Sequence, residues 1–263
     1  MGICHTAGAP SRESNITQYV IISGRGGDAC MDGTALREAR LCRKWTQQQA
    51  AQALGVTQAY WSMMEKGRRV VPESFVTKAL KALKLPATVL PLPLESALDR
   101  VRTRRHDFSA ELGALGYPGF AYIGKKAKVN PALLLFDALN EPDLDSRVAE
   151  GLPWLALTYA DMDWNWLVRN AKVHDRQNRL GFTVSLAAEV GESNNVSNID
   201  RVPKLRACLR SLETARLAGE DTFCHDSMTN AERTWLREHR TPVAAHWNLV
   251  TDLRKEHLAY ASK

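Results

Sequence analysis

The stretch that most constrains this chain is residues 46–67, TQQQAAQALGVTQAYWSMMEKG. Its punctuation predicts two short helices about a tight turn. Thr46 is placed to cap the first helix, with Gln49 at the third helical position to complete a reciprocal cap. Ala50 and Leu54 stack four apart on one face with Ala53 beside them. Gly55 can take the positive φ that ends a helix. Val56 is the expected buried residue of the turn, and Thr57 caps a second helix with Trp61, Met64 and the stem of Glu65 turned inward. Ala59, at the start of that helix, could be shared between the core and the outer face, and Gly67 stops it. Two helices of about eight residues cannot bury a core by themselves. Support is therefore expected from Leu36, Ala39 and Leu41 before the stretch and from Phe75, Leu80, Leu83 and Leu85 after it.

Leu36-Arg37-x2-Arg40, Thr46-Gln47-x2-Ala50-x3-Leu54-Gly55-Val56-Thr57-Gln58-x2-Trp61-x2-Met64-Glu65-x-Gly67-Arg68-Arg69-x2-Pro72 resembles the helix-turn-helix domain of the phage-repressor/Cro family, the XRE-type regulators. The resemblance spans residues 33–92, under a quarter of the chain. It implies an all-α protein, with a five-helix lambda-repressor-like DNA-binding domain at 33–93 and a mainly helical C-terminal domain. Two departures stand out. Trp61 replaces the usual small aliphatic residue of the recognition helix, and Met63-Met64 replaces a more polar pair.

The charge has the same address. Residues 31–93 hold ten Lys/Arg against four Asp/Glu, and the segments on either side are neutral. The net +6 of the chain therefore sits on this unit, as a face for duplex DNA requires. No apolar run approaches the ~20 residues of a membrane span, and no basic-then-apolar leader is present. The five cysteines are scattered and odd in number, so neither a disulfide framework nor a metal site is expected. The expected setting is the reducing cytoplasm.

Organisation follows composition. Residues 1–32 read as a flexible arm, with a short strand possible at 18–22 and a Gly-rich run at 23–28 that lacks phosphate-loop order. Translation could equally start at Met31. Asp32 or Thr34 is placed to cap helix one, and Cys42 reads as a small buried hydrophobe. Val76, Ala79, Leu80 and Leu83 give a helical stripe, and Pro91 and Pro93 mark a boundary. Residues 94–130 form a basic linker or adaptor, a helix continuing through Leu98 and Val101 before a tight turn and a short extended piece at 113–124. Within it, seven Lys/Arg between 100 and 128 face only Asp107 and Glu111.

Residues 131–263 read as a mainly helical domain for dimerisation, sensing or partner binding. Asp161 and Asp163 beside Trp164 and Trp166 could hold a metal or act as acid and base, but aspartates before a helix are ordinary caps, and caps plus core is the stronger reading. Asn170, His174 and Gln177-Asn178-Arg179 are expected on a polar side. Residues 192–200 form a polar break. Leu205, Cys208, Leu209, Leu212 and Ala215 form an amphipathic stripe. Thr229 and Glu232 make a second capping box, and a last helix is expected from Pro242 to Ala259. Gly116-Tyr117-Pro118-Gly119-Phe120, Leu152-Pro153-Trp154 and Gln177–Phe182 together resemble the C-terminal part of regulators encoded beside nucleotidyltransferase-like toxins.

The resemblance implies that the second motif helix enters the major groove. Gln58 is the best base reader, since its amide can pair with adenine, followed by Ala59, Tyr60 and Met63. Gln47, Ser62, Lys66, Arg68 and Arg69 are the candidate phosphate contacts. The partners expected are double-stranded DNA, a second copy of the chain and, through the C-terminal domain, another protein. No catalytic residue, metal or cofactor is expected. A repressor dimer on a palindrome is the leading reading. An antitoxin or defence-system regulator that grips a protein partner is the alternative, and an enzyme using Asp161, Asp163 and His174, or a module for protein contact alone, ranks below it.

Overall fold

The computed structural model describes residues 31, 33–93, 106–123, 128–193 and 200–258. The expectations for the arm at 1–30, for Asp32, for the helix through Leu98 and Val101, and for six of the seven basic residues at 100–128 lie outside them.

The chain is predominantly helical. The first helices are α1 (Gly33–Cys42), α2 (Gln47–Leu54), α3 (Gln58–Glu65) and α4 (Glu73–Leu83). The five-helix domain expected at 33–93 contains four α-helices, followed by a single 3-10 turn at residues 87–89. Trp61 and Met64 of α3 are completely buried at the centre of this unit, packed with Leu36, Ala50, Phe75, Ala79 and Leu83. Gly33 is required by a close approach, because a Cβ there would lie 2.0 Å from the Met64 carbonyl oxygen.

Four expectations change here. Ala51, not Ala53, joins Ala50 and Leu54 inside. Val56 is half-buried. Cys42 and Leu41 are exposed, because the inward face of α1 is taken by Ala35, Leu36, Ala39 and Arg40, and the next two residues rotate off it. Thr34 lies within α1 instead of preceding it.

The second body contains α5 (Phe108–Leu115), α6 (Pro131–Asn140), α7 (Ser146–Thr158), α8 (Trp164–Val173), α9 (Gln177–Ser193), α10 (Val202–Glu213), α11 (Asn230–His239) and α12 (Pro242–His246). Helix α9 is its axis and is buried nearly all round, as a central core helix is. It packs against α7, α8, α10 and α12. A two-residue parallel ladder joins β1 (Asp221–Thr222) to β2 (Leu249–Val250), in register Asp221 to Leu249 and Thr222 to Val250. No helix among the described residues is long and apolar enough to cross a membrane.

The two bodies meet through residues 87–93. Ala87 and Leu92 belong to the larger core, while Leu90 packs against both. Asn130 Nδ2 donates to the carbonyls of Thr88 at 3.3 Å and Leu90 at 2.5 Å, and Trp166 Nε1 donates to Pro93 O at 2.8 Å. The proline-rich segment that reads as a domain end is thus a docking strip.

Larger departures occur further on. The tight turn and extended piece expected at 113–124 begin instead as the end of α5, which runs to Leu115, and continue as a 3-10 turn at Pro118–Phe120. Asp107 caps α5, and Gly113 sits inside it because a Cβ would lie 2.6 Å from the Phe120 carbonyl oxygen. The helix expected to run from 242 to 259 stops at His246. Asn248 takes a left-handed φ of 51°, its carbonyl accepts from Asp221 N, and the chain continues as β2. Asn170, Gln177, Asn178 and Arg179 are buried, not on a polar side. Asn178 binds both the carbonyl and the amide of Leu217, and Gln177 donates to Ala215 O. Arg179 pairs with Asp221 at 2.7 and 2.8 Å and Asp226 at 3.2 Å, and also donates to Leu139 O at 3.2 Å. Burial alone would lower its pKa, but hydrogen bonding and charge from Asp221 outweigh that and raise it. The Gln177–Phe182 run is thereby accounted for as architecture.

Asp163 is an N-cap, accepting from Trp166 N at 2.9 Å, while Trp166 is core and Asp161 is exposed. His174, expected on a polar side, is half-buried and lies against Phe136, with its Nε2 buried and without a partner among the described residues. Burial pushes its pKa down.

Candidate nucleic-acid interface

The turn between α2 and α3 is built from local signals. Thr46 accepts from Gln49 N at 3.1 Å while Gln49 Oε1 accepts from Thr46 N at 2.8 Å, so two donors at the helix start are satisfied together. Gly55 closes α2 at φ 72°. Thr57 Oγ1 then accepts from Tyr60 N and opens α3.

On α3, residues 61, 64 and 65 point inward, which turns 59, 63 and 66 to the opposite side, with 58, 60 and 62 flanking them. Gln58, Ala59 and Lys66 are exposed, and Tyr60, Ser62 and Met63 are half-buried. Tyr60 also packs against the core of the unit. Beyond the helix, Gly67 at φ 65° turns the chain so that the amides of Arg68 and Arg69 both donate to Met63 O. The side chains of Lys66, Arg68 and Arg69 are exposed and make no ion pair with a described residue. Three cations therefore stand open to solvent just past the end of α3.

Gln47 behaves differently from the rest of the candidate set. Its Nε2 donates to Glu65 Oε2 at 2.8 Å. Glu65 is a hub that reading by periodicity missed, having assigned only its stem to the core. Its carboxylate also accepts from Arg40 Nε at 2.6 Å and Nη2 at 3.2 Å, and from Trp61 Nε1 at 2.6 Å. Burial alone would raise its pKa, but the donors Arg40, Gln47 and Trp61 together hold it below the usual carboxylate range. The hub joins α1, the first residue of α2 and α3. Arg40 is closed off further by donation to Trp45 O at 2.8 Å, so one of the ten basic residues of this unit is structural. The tryptophan that departs from the family pattern fills the centre and also supplies an indole N–H to the hub. The detectable signal was a buried-face glutamate four residues after a tryptophan, with an arginine on the preceding helix.

The combination of a capped helix, a glycine turn and a second capped helix with an open outer face coincides with a known domain type. Residues 33–92 match the profile of a family described as a helix-turn-helix domain. Residues 33–92 are a helix-turn-helix domain. No curated protein and no solved structure matches the chain at comparable stringency. The helix-turn-helix domain accounts for α1 to α4 and the docking strip. Among the described residues, no group of three or more His, Cys, Asp or Glu is placed to hold a metal ion.

Proposed function

We propose that this protein is a sequence-specific regulator of transcription, a repressor that acts as a dimer on a palindromic operator. The observation that carries the reading is a helix-turn-helix domain whose α3 turns an open face outward beside three exposed cations. In this reading α3 lies in the major groove. Gln58, first in the helix and exposed, reads adenine, while Ala59, Tyr60 and Met63 meet thymine methyls and the sugar edge. Lys66, Arg68, Arg69 and Ser62 hold phosphates and set the docking pose. Gln47 joins them through the amide hydrogen that Glu65 leaves free. With one amide and no arginine on the reading face, much of the discrimination rests on half-site spacing and DNA shape.

Footprinting on the protein's own promoter tests this. Gln58→Ala is expected to protect a less defined set of sequences with overall affinity largely kept. An unchanged sequence preference would remove Gln58 from the reading role.

A second reading, an antitoxin or defence-system regulator, draws support from α11. None of its residues is buried, and Trp235 is 53% exposed on it, stacked on His239. Exposed tryptophans are common anchors of protein interfaces. Co-purification with the product of an adjacent gene would favour this reading, and a chain that purifies alone from the operon would count against it.

A further inference from the structure

The second body contains a cavity of about 450 Å³ far along the chain from the helix-turn-helix domain, within the size range of small-molecule sites. Its floor is apolar and buried: Phe223, Met228, Val250 and Leu253. Leu236 of α11 and Ala149 of α7 wall it. The charged residues that line it are both carboxylates, Glu150 and Asp252. The remaining ionisable rim groups are the imidazoles of His225 and His257, and among the described residues no lysine or arginine lines it.

Two observations mark the cavity as built. Cys224 at its floor holds a left-handed φ of 55° that a non-glycine residue adopts only under constraint. The constraint comes from behind the cavity. Arg179 Nη1 donates to Cys224 Sγ at 3.7 Å, and the thiol donates to Ala138 O at 3.5 Å. The same arginine clamps Asp221 and Asp226 on both sides of the loop, and Thr222 Oγ1 donates to Asp226 at 2.6 Å. The floor is therefore fixed by a network centred on a buried guanidinium. Leu236 of α11 forms part of the wall, and that helix buries none of its own residues and can yield at little cost.

We infer that this cavity binds a small organic cation with an apolar body, the body against Phe223, Met228, Val250 and Leu253 and the ammonium group between Glu150 and Asp252. The apolar floor selects the body, and the two carboxylates, with no opposing cation in the described lining, select the sign of the charge. Such binding does not depend on DNA, so it is tested on the full chain without DNA.

The probes are 4-phenylbutylamine, 4-phenylbutan-1-ol and 4-phenylbutyrate, which share one apolar body, followed by calorimetric titration. Saturable one-to-one binding of the amine is expected, about tenfold or more tighter than the carboxylate, with the alcohol between them. Glu150→Gln with Asp252→Asn is expected to bring the amine to about the affinity of the alcohol, with circular dichroism unchanged. Ser146→Trp, at an exposed position on the rim, is expected to weaken all three probes. The carboxylate binding as tightly as the amine would overturn the inference. So would amine binding that none of these variants alters, or no saturation by any probe up to about 10 mM. Uptake of an apolar basic peptide, with none of the free amine, would assign the surface to a protein partner and overturn it likewise.

Discussion

Replacing Glu65 with alanine tests how the helix-turn-helix domain is held. The carboxylate takes four N–H donors from three side chains and is almost solvent-free, with 2% of the side chain exposed against 10% for Arg40. Its removal leaves the Arg40 guanidinium buried with only Trp45 O, and leaves the Trp61 indole N–H without an acceptor. Breaking a buried pair on one side costs about 3–5 kcal/mol, because the surviving charge is uncompensated. Against a domain stability of about 5–15 kcal/mol, that is enough to leave this unit partly open. Amide hydrogen exchange of α3 reads the unit apart from the larger core and is expected to show the drop there, with α9 unaffected. Glu65→Leu combined with Arg40→Leu is expected to recover most of the loss, since it removes both charges. A drop below about 1 kcal/mol for Glu65→Ala would mean that the pair is hydrated and does not hold the three helices together. The pH dependence has a definite sign. The folded pKa lies below the ordinary 4.5, so the contribution is complete above that value and is lost as pH falls through the lower folded value.

Further outcomes follow from the same interactions. Trp61→Phe keeps most of the volume but removes the indole donor, and is expected to cost about 1–3 kcal/mol in chemical denaturation. Thr46→Ala removes half of the capping box of α2 and is expected to cost about 1 kcal/mol, read as faster exchange of the Gln49 amide. Gly181→Ala would drive a methyl to within 2.4–2.5 Å of the Trp247 ring. Overpacking of about 1–3 kcal/mol is expected there, visible as a lowered thermal midpoint.

The parts of this fold that were legible are those whose cause is local. Thr46, Gly55, Thr57 and Gly67 act on residues one to four positions away, so the turn could be placed from the sequence alone, and the Val76 to Leu83 stripe declares its face by period. The α3 outer face was legible as a consequence. What stayed hidden depends on distant partners. Arg179 reads as a solvent residue until Asp221, 42 residues later, is brought to it, and Asn178 satisfies a loop 39 residues away. Gly113 reads as a breaker, whereas the helix contains it because Phe120 folds back on that spot. Gln47 was read by position in a motif. Its bond to Glu65 follows from the burial of a carboxylate, which periodicity does not report.

Salt-dependent binding of operator DNA tests the central claim most directly. Fluorescence anisotropy across a range of salt concentrations is expected to give a linear fall of log affinity with log salt. Arg68→Ala with Arg69→Ala is expected to weaken specific and non-specific duplexes alike and to reduce the slope by about 1–2, roughly 0.9 for each phosphate that is no longer neutralised. An unchanged affinity and slope for the double variant would contradict the docking of α3 against the duplex.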